Sequence, residues 1–99
     1  MKETRQRRSL TLNEKFAVNT IKNAIRGQFI STRPENHIEK CQCCGANLCI
    51  SNSYIGSICW KCGWEQDLIE DVNEESSMNY GFSCSEYSKL YDQVVKGKI

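Results

Sequence analysis

Four of the seven cysteines form two matched pairs. The pairs are Cys41-x-x-Cys44 and Cys59-x-x-Cys62; a glycine follows each pair, and fourteen residues separate them. Two residues between cysteines let both sulfurs of one tight turn reach a single metal ion at about 2.3 Å. The glycine suits a backbone that reverses direction with positive φ. The spacing therefore predicts one metal site with four thiolate ligands.

A complete shell of four thiolates indicates a structural rather than a catalytic metal site. It leaves no coordination position open for substrate or water, so it favours one structural Zn²⁺ over a catalytic metal. Iron in a rubredoxin-like role uses the same ligands and is an alternative. A redox dithiol is a second alternative, because either Cys-x-x-Cys pair alone can exchange disulfides.

The other cysteines and the single histidine fit this site less well. Cys43 lies inside the first pair, so it could replace a neighbour only with a gap of one residue or none. Cys49 and Cys84 are expected to be small, partly buried hydrophobic residues. His37 precedes Cys41 by four residues and is expected in a surface linker. None of these is predicted to be a ligand.

The composition favours a reducing compartment. The 99 residues are 39% hydrophobic, and their odd number of cysteines suits a disulfide framework poorly. The first residues are charged, and no apolar signal or membrane-spanning stretch follows them. We therefore expect a cytoplasmic protein without membrane association, whose modest core needs a metal for stability.

A capping box marks a helix before the cysteines. Thr11 and Glu14 have the spacing of an N-cap pair, and Gly27 is a suitable stop. A helix is therefore predicted from about Leu12 to Arg26. Its predicted apolar face comprises Leu12, Phe16, Ile21, Ala24 and Ile25.

A second capping box, Ser83-Cys84-Ser85-Glu86, marks a helix after the cysteines, and Gly97 closes it. Apolar residues at i, i+3, i+4, i+7 and i+8 make it the clearest amphipathic helix of the chain. These residues are Tyr87, Leu90, Tyr91, Val94 and Val95.

The segment between the helices is predicted to form a zinc ribbon. Asn47–Ser51 and Tyr54–Ile58 are predicted as two strands joined by a turn at Asn52-Ser53. Residues 65–75 hold six carboxylates and the pair Leu68-Ile69, which suggests a last strand followed by a solvated loop.

The predicted fold class is α+β, a small zinc ribbon (a β-hairpin with two Cys-x-x-Cys knuckles) flanked by an N-terminal and a C-terminal helix. Its predicted segments are a flexible basic arm at 1–10, the N-terminal helix at 11–30, a linker at 31–40, the zinc ribbon at 41–70, a loop at 71–82 and the C-terminal helix at 83–99.

The two knuckles resemble those of a known bacterial family. Cys41-Gln42-Cys43-Cys44-Gly45 and Ile58-Cys59-Trp60-Lys61-Cys62-Gly63-Trp64-Glu65-Gln66-Asp67 look like the knuckles of the cysteine-rich CPCC family. Asn79 and Ser83-Cys84-Ser85-Glu86 stand where that family has an asparagine and a helix start. Gln42 and Trp60 occupy positions where prolines are usual. The resemblance covers about residues 40–92 and implies a small zinc-binding protein, with some members in toxin–immunity or mobile-element neighbourhoods.

Charge and aromatic residues suggest two classes of partner. Residues 1–40 carry nine Lys/Arg against four Asp/Glu, and residues 41–99 carry four against eight. A non-enzymatic module that binds another protein, of an immunity, inhibitor or adaptor type, is the leading interpretation, with Trp60 and Trp64 as anchors. Nucleic-acid binding is the alternative, since the basic residues suit phosphate contacts. No catalytic set or phosphate-binding glycine loop is recognisable. The basic residues are Arg5, Arg7, Arg8, Lys15, Lys22 and Arg26.

Overall fold

A computed structural model describes residues 9–29, 38–50 and 53–99. In chain order these residues form helix α1 (Leu12–Ile25), strands β1 (Ile38–Lys40) and β2 (Asn47–Cys49), a 3-10 turn (Ser77–Asn79) and helix α2 (Cys84–Val95). The α+β class is confirmed by two helices and an antiparallel two-stranded hairpin. Four residues discussed in the sequence analysis lie outside the described residues. They are His37 and the three arginines predicted to contact a partner, Arg5, Arg7 and Arg8.

Both helices begin at the predicted capping boxes. Thr11 Oγ1 accepts from the Glu14 backbone N–H at 3.1 Å, and the Glu14 carboxylate accepts from the Thr11 N–H at 2.8 Å. Ser83 and Glu86 repeat this exchange at 3.2 and 3.0 Å. Each box satisfies two N–H groups that have no partner within the helix. The side chain at the N-cap therefore fixes where each helix starts.

The strand pairing differs from the predicted hairpin. β2 pairs with β1, with Ile38 opposite Cys49 and Lys40 opposite Asn47, rather than with residues 54–58. The reason is that the first knuckle is itself the turn between two strands. The predicted linker at 31–40 thus ends in a strand, and the predicted strand at 54–58 is a turn with a single bridge from Ile58 to Glu65.

The core lies where the two helices meet the second knuckle. Trp64 and Tyr87 are both fully buried, and their rings pack edge to face with centroids 5.2 Å apart. From α1, Ile21 reaches the same cluster, and Leu90 extends it along α2. Within the described ranges, neither helix has the length and apolar character needed to cross a bilayer.

Candidate metal centre

The two knuckles are built by the same backbone hydrogen bonds. In the first, Cys41 N–H donates to Ala46 C=O at 2.9 Å and Gly45 N–H donates to Cys41 C=O at 3.0 Å. In the second, Cys59 N–H donates to Trp64 C=O at 2.9 Å and Gly63 N–H donates to Cys59 C=O at 3.0 Å. Each Cys-x-x-Cys pair therefore lies in a tight turn whose two sulfurs point to the same side.

The structure brings the four paired cysteines together. Their sulfur atoms all lie within 4.8 Å of one another. The sulfurs of Cys41 and Cys62 are 3.8 Å apart, and those of Cys44 and Cys59 are 3.5 Å apart. Four sulfurs placed tetrahedrally about 2.3 Å from a metal would be about 3.8 Å from one another. The cluster thus has the composition and the spacing to hold one metal ion.

The cluster is shielded from solvent. Cys59 and Cys62 are fully buried, Cys41 is nearly so, and Cys44 is half-buried. Backbone N–H groups point at its sulfurs: Cys43 N–H donates to Cys41 Sγ at 3.3 Å, and Lys61 N–H donates to Cys59 Sγ at 3.3 Å. Such donors stabilise negative charge on sulfur, which a metal-bound thiolate carries.

The four clustered thiols shift one another's pKa values in opposite directions. Hydrogen bonds from Cys44, and then from Cys59 and Cys62, hold the pKa of Cys41 far below its usual value. The hydrogen bond with Cys41 raises the pKa of Cys44, but those with Cys59 and Cys62 outweigh it and bring that pKa to about 7. The pKa of Cys62 is raised, chiefly by its bond to Cys41. Four thiols crowded into one cluster suit a cation, whose binding releases their protons.

The three remaining cysteines lie outside the cluster. Cys43 is half-buried, with its Sγ 3.2 Å from Ser88 Oγ and 3.6 Å from the Cys84 carbonyl oxygen. Cys84 is buried at the start of α2, and burial raises the pKa of its thiol to about 12. Cys49 is exposed on β2. Cys43 and Cys84 are thus packing residues between the first knuckle and α2.

The two tryptophans have different environments. Trp60 is 41% exposed, and its Nε1–H donates to the Asn47 carbonyl oxygen at 2.8 Å. Trp64 is fully buried, and its Nε1–H donates to Gln42 Oε1 at 3.0 Å. Trp64 therefore belongs to the core, and its predicted role as a partner anchor is corrected. Beside Trp60 lies a groove of about 280 Å³ lined also by Phe29, Leu48, Cys49 and Ile58.

The predicted basic residues of α1 lie along one side of the helix. Lys15, Lys22 and Arg26 are separated by seven and four residues, which places them within about 40° of one another at 100° per residue. Lys15 and Arg26 are exposed, whereas Lys22 is half-buried. Arg26 also donates to Asn23 Oδ1 at 3.2 Å. Helical spacing therefore places the three side chains in a line along α1 and its C-cap.

Two glutamines that were not predicted as site residues join the knuckles. Gln42 Oε1 accepts from the Asp67 N–H at 3.0 Å as well as from Trp64, and its Nε2 donates to the Asp67 carbonyl oxygen at 2.6 Å. Gln66 is fully buried and reaches back to Cys41. Gln42 lies inside the first cysteine motif and Gln66 lies four residues after the second, but nothing in their spacing indicates a contact more than twenty residues away. A composition or periodicity argument therefore could not have identified these residues.

Comparisons with protein-family models, with curated proteins and with solved structures find no match to this chain.

Proposed function

We propose that Cys41, Cys44, Cys59 and Cys62 bind one structural Zn²⁺ and that the protein is a non-enzymatic binding module. The observation that carries the metal proposal is the closed cluster, with inter-knuckle sulfur distances of 3.8 and 3.5 Å. Four thiolates around one ion leave no position for substrate. The resemblance of both knuckles to the CPCC family supports the same conclusion. All seven cysteines are free, and we place the protein in a reducing, cytoplasmic compartment, where clustered cysteines more often bind metal than form disulfides.

Native mass spectrometry of the purified chain tests the metal proposal. We expect one zinc per chain, and metal analysis distinguishes zinc from the iron of a rubredoxin-like site. Cys62→Ser should lose the metal and the folded state, because structural zinc contributes roughly 10–16 kcal/mol of apparent binding energy in isolated fingers. Cys49→Ser, which changes an exposed cysteine outside the cluster, is the matched control. A stable, folded apo-protein with four free thiols would contradict the proposal.

The proposed partner is another protein that inserts an apolar side chain beside Trp60. The Trp60 ring is held by its bond to Asn47 and stands at the rim of the groove, next to Ile58, which is 43% exposed. A rigid, partly exposed tryptophan next to an apolar recess has the features of an interface hot spot. The acidic segment 65–75 and the basic side of α1 would then select partners by charge.

Affinity capture with matched variants tests the protein-binding proposal. We expect one stoichiometric protein to be captured by the wild-type chain and lost with Trp60→Ala. Leu68→Ala, at a residue that is 81% exposed in another segment, should leave capture unchanged. Truncation of a hot-spot residue typically costs 2 kcal/mol or more, about a 30-fold loss of affinity. Equal capture by both variants would contradict the assignment of this surface.

Nucleic-acid binding is the second candidate, and the line of Lys15, Lys22 and Arg26 along α1 favours it. Phosphate contacts from such a line would make binding fall steeply with salt, with a slope of about −0.9 per contact on duplex DNA. Mobility-shift titrations with random duplex and single-stranded DNA at several salt concentrations measure that slope. Replacing all three residues with glutamine should reduce it by about 3. Binding that ignores salt, or no binding, excludes this candidate.

A further inference from the structure

Gln66 is a polar side chain enclosed by the protein beside the sulfur cluster. It has no exposed surface, and it lies four residues beyond the second knuckle. Its Nε2 group is 3.5 Å from Cys41 Sγ and 3.1 Å from the Trp64 carbonyl oxygen. Its Oε1 atom accepts from the Gln42 backbone N–H at 2.9 Å and from the Tyr54 hydroxyl at 3.3 Å. Both the nitrogen and the oxygen of the Gln66 amide thus have hydrogen-bond partners within the protein.

The backbone partners fix the orientation of this amide. A backbone N–H can only donate and a backbone C=O can only accept. The Gln42 N–H therefore requires the Gln66 oxygen on its side, and the Trp64 carbonyl requires the Gln66 nitrogen on the other. With the amide held this way, the second Nε2–H points toward Cys41 Sγ. The two backbone contacts of the Gln66 amide therefore place an N–H donor at the Cys41 sulfur.

A donor at this position has a defined chemical effect. A zinc ion with four thiolates carries a net charge of −2 in a buried site, where uncompensated charge is unfavourable. A hydrogen bond to a thiolate removes part of that charge from sulfur and fixes the side chain for metal binding. Cys41 already accepts from the Cys43 N–H, so Gln66 adds a donor from a different part of the chain.

We infer that Gln66 is a positioning residue of the metal centre, whose side-chain amide donates to the metal-bound sulfur of Cys41 and strengthens metal binding. This inference rests on the proposed zinc function. Through the Gln42 N–H, the same amide ties the first knuckle to the segment after the second. Metal affinity and the electronic state of one sulfur thereby depend on a residue that is not itself a ligand.

Titration of the full chain with Zn²⁺ and with Co²⁺ tests the inference. Gln66→Glu keeps an acceptor for Gln42 and Tyr54 but removes the N–H donor, and Gln66→Met removes the donor without adding charge. Both should lower affinity for Zn²⁺ by about 10–100-fold, the usual effect of losing an outer hydrogen bond to a ligand. Both should also move the sulfur-to-cobalt charge-transfer band to longer wavelength, because a sulfur without its hydrogen bond is easier to oxidise.

Tyr54→Phe is the matched control. It removes the hydroxyl that contacts Gln66 Oε1 and the Lys40 carbonyl oxygen, and it leaves Gln66 Nε2 beside Cys41 Sγ. It should leave the charge-transfer band unchanged. A second measurement needs no variant: in the ¹¹³Cd-loaded wild-type chain, nuclear magnetic resonance should detect a scalar coupling between the metal and a Gln66 side-chain amide proton. Wild-type affinity and band position in the Gln66 variants, or no such coupling in the wild-type chain, would overturn the inference. Failure of the wild-type chain to bind any of the three metals would instead overturn the zinc centre on which the inference depends.

Discussion

Alanine substitutions at Gly45 and Gly63 should have clearly different effects on stability. The two glycines occupy the same place after their Cys-x-x-Cys pairs, and both have positive φ, +78° and +85°. Their surroundings differ. A Cβ atom at Gly45 would meet nothing within 4 Å, whereas one at Gly63 would lie 2.8 Å from Thr20 Cγ2, 3.1 Å from the Thr20 carbonyl oxygen and 3.2 Å from the Tyr87 hydroxyl.

The expected magnitudes follow from these contacts. Both variants place a Cβ atom on a residue with left-handed backbone angles, which lowers the free energy of unfolding by about 1–2 kcal/mol. Gly63→Ala adds a steric term of about 1–3 kcal/mol, typical of one extra carbon in a packed interior. Thr20 cannot turn away freely, because its Oγ1 is hydrogen-bonded to the Tyr80 hydroxyl at 2.8 Å. The expected losses are therefore about 1–2 kcal/mol for Gly45→Ala and about 2–5 kcal/mol for Gly63→Ala.

Urea unfolding at fixed free zinc, followed by circular dichroism, measures both losses. Thr20→Ser provides a sharper test, since it removes the methyl group nearest the new Cβ and keeps the hydroxyl that contacts Tyr80. Combined with Gly63→Ala it should recover part of the lost free energy of unfolding; combined with Gly45→Ala it should recover none. Equal losses for the two glycine variants, or equal recovery by Thr20→Ser, would refute the packing argument.

Three further predictions concern polar contacts, caps and the metal. Asn79→Ala should lower the free energy of unfolding by about 2–4 kcal/mol, because the buried Asn79 amide makes two 2.8 Å hydrogen bonds with the Glu65 backbone. A loss of less than about 0.5 kcal/mol in urea unfolding would contradict this. Ser83→Ala should cost about 1 kcal/mol through the lost cap, or about 4–8 °C in Tm by calorimetry, and an unchanged Tm would show that the cap is dispensable. Removing zinc with a chelator should lower stability by about 4 kcal/mol relative to free zinc at 1,000 times the Kd; a Tm independent of free zinc would exclude a structural role for the metal.

Features that depend on near neighbours in sequence could be predicted. The Thr11 and Ser83 capping boxes need only residues three positions apart, and both occur as expected. The convergence of the cysteines follows similarly from motif spacing, and the structure clusters the same four sulfurs. The strand pairing could not be predicted in this way. The first knuckle's own hydrogen bonds close the turn between β1 and β2, so β2 pairs with the segment before the knuckle rather than with the one after it.

The buried face of α1 shows a second limit of sequence reasoning. Periodicity selected Leu12, Phe16 and Ile25, which are 65%, 48% and 51% exposed. The face that packs inward instead carries Ala17 and Val18, and it includes the correctly predicted Ile21 and Ala24. Small residues suit a helix that approaches another helix and a knuckle closely. Which face is buried was decided by these partners, and their positions are not encoded in the helix's own pattern.

The contacts around the cysteines connect the proposed metal centre to the helix packing. The second knuckle is attached to α2 by the Tyr87 hydroxyl, which donates to the Cys62 carbonyl oxygen at 2.9 Å. The first knuckle reaches the same helix through Cys43 and Ser88. Since both knuckles contact α2 and share one cluster of sulfurs, separating them would also disturb the helix. Loss of the metal at the proposed site should therefore unfold the packing around the buried Trp64 together with the knuckles, rather than an isolated loop.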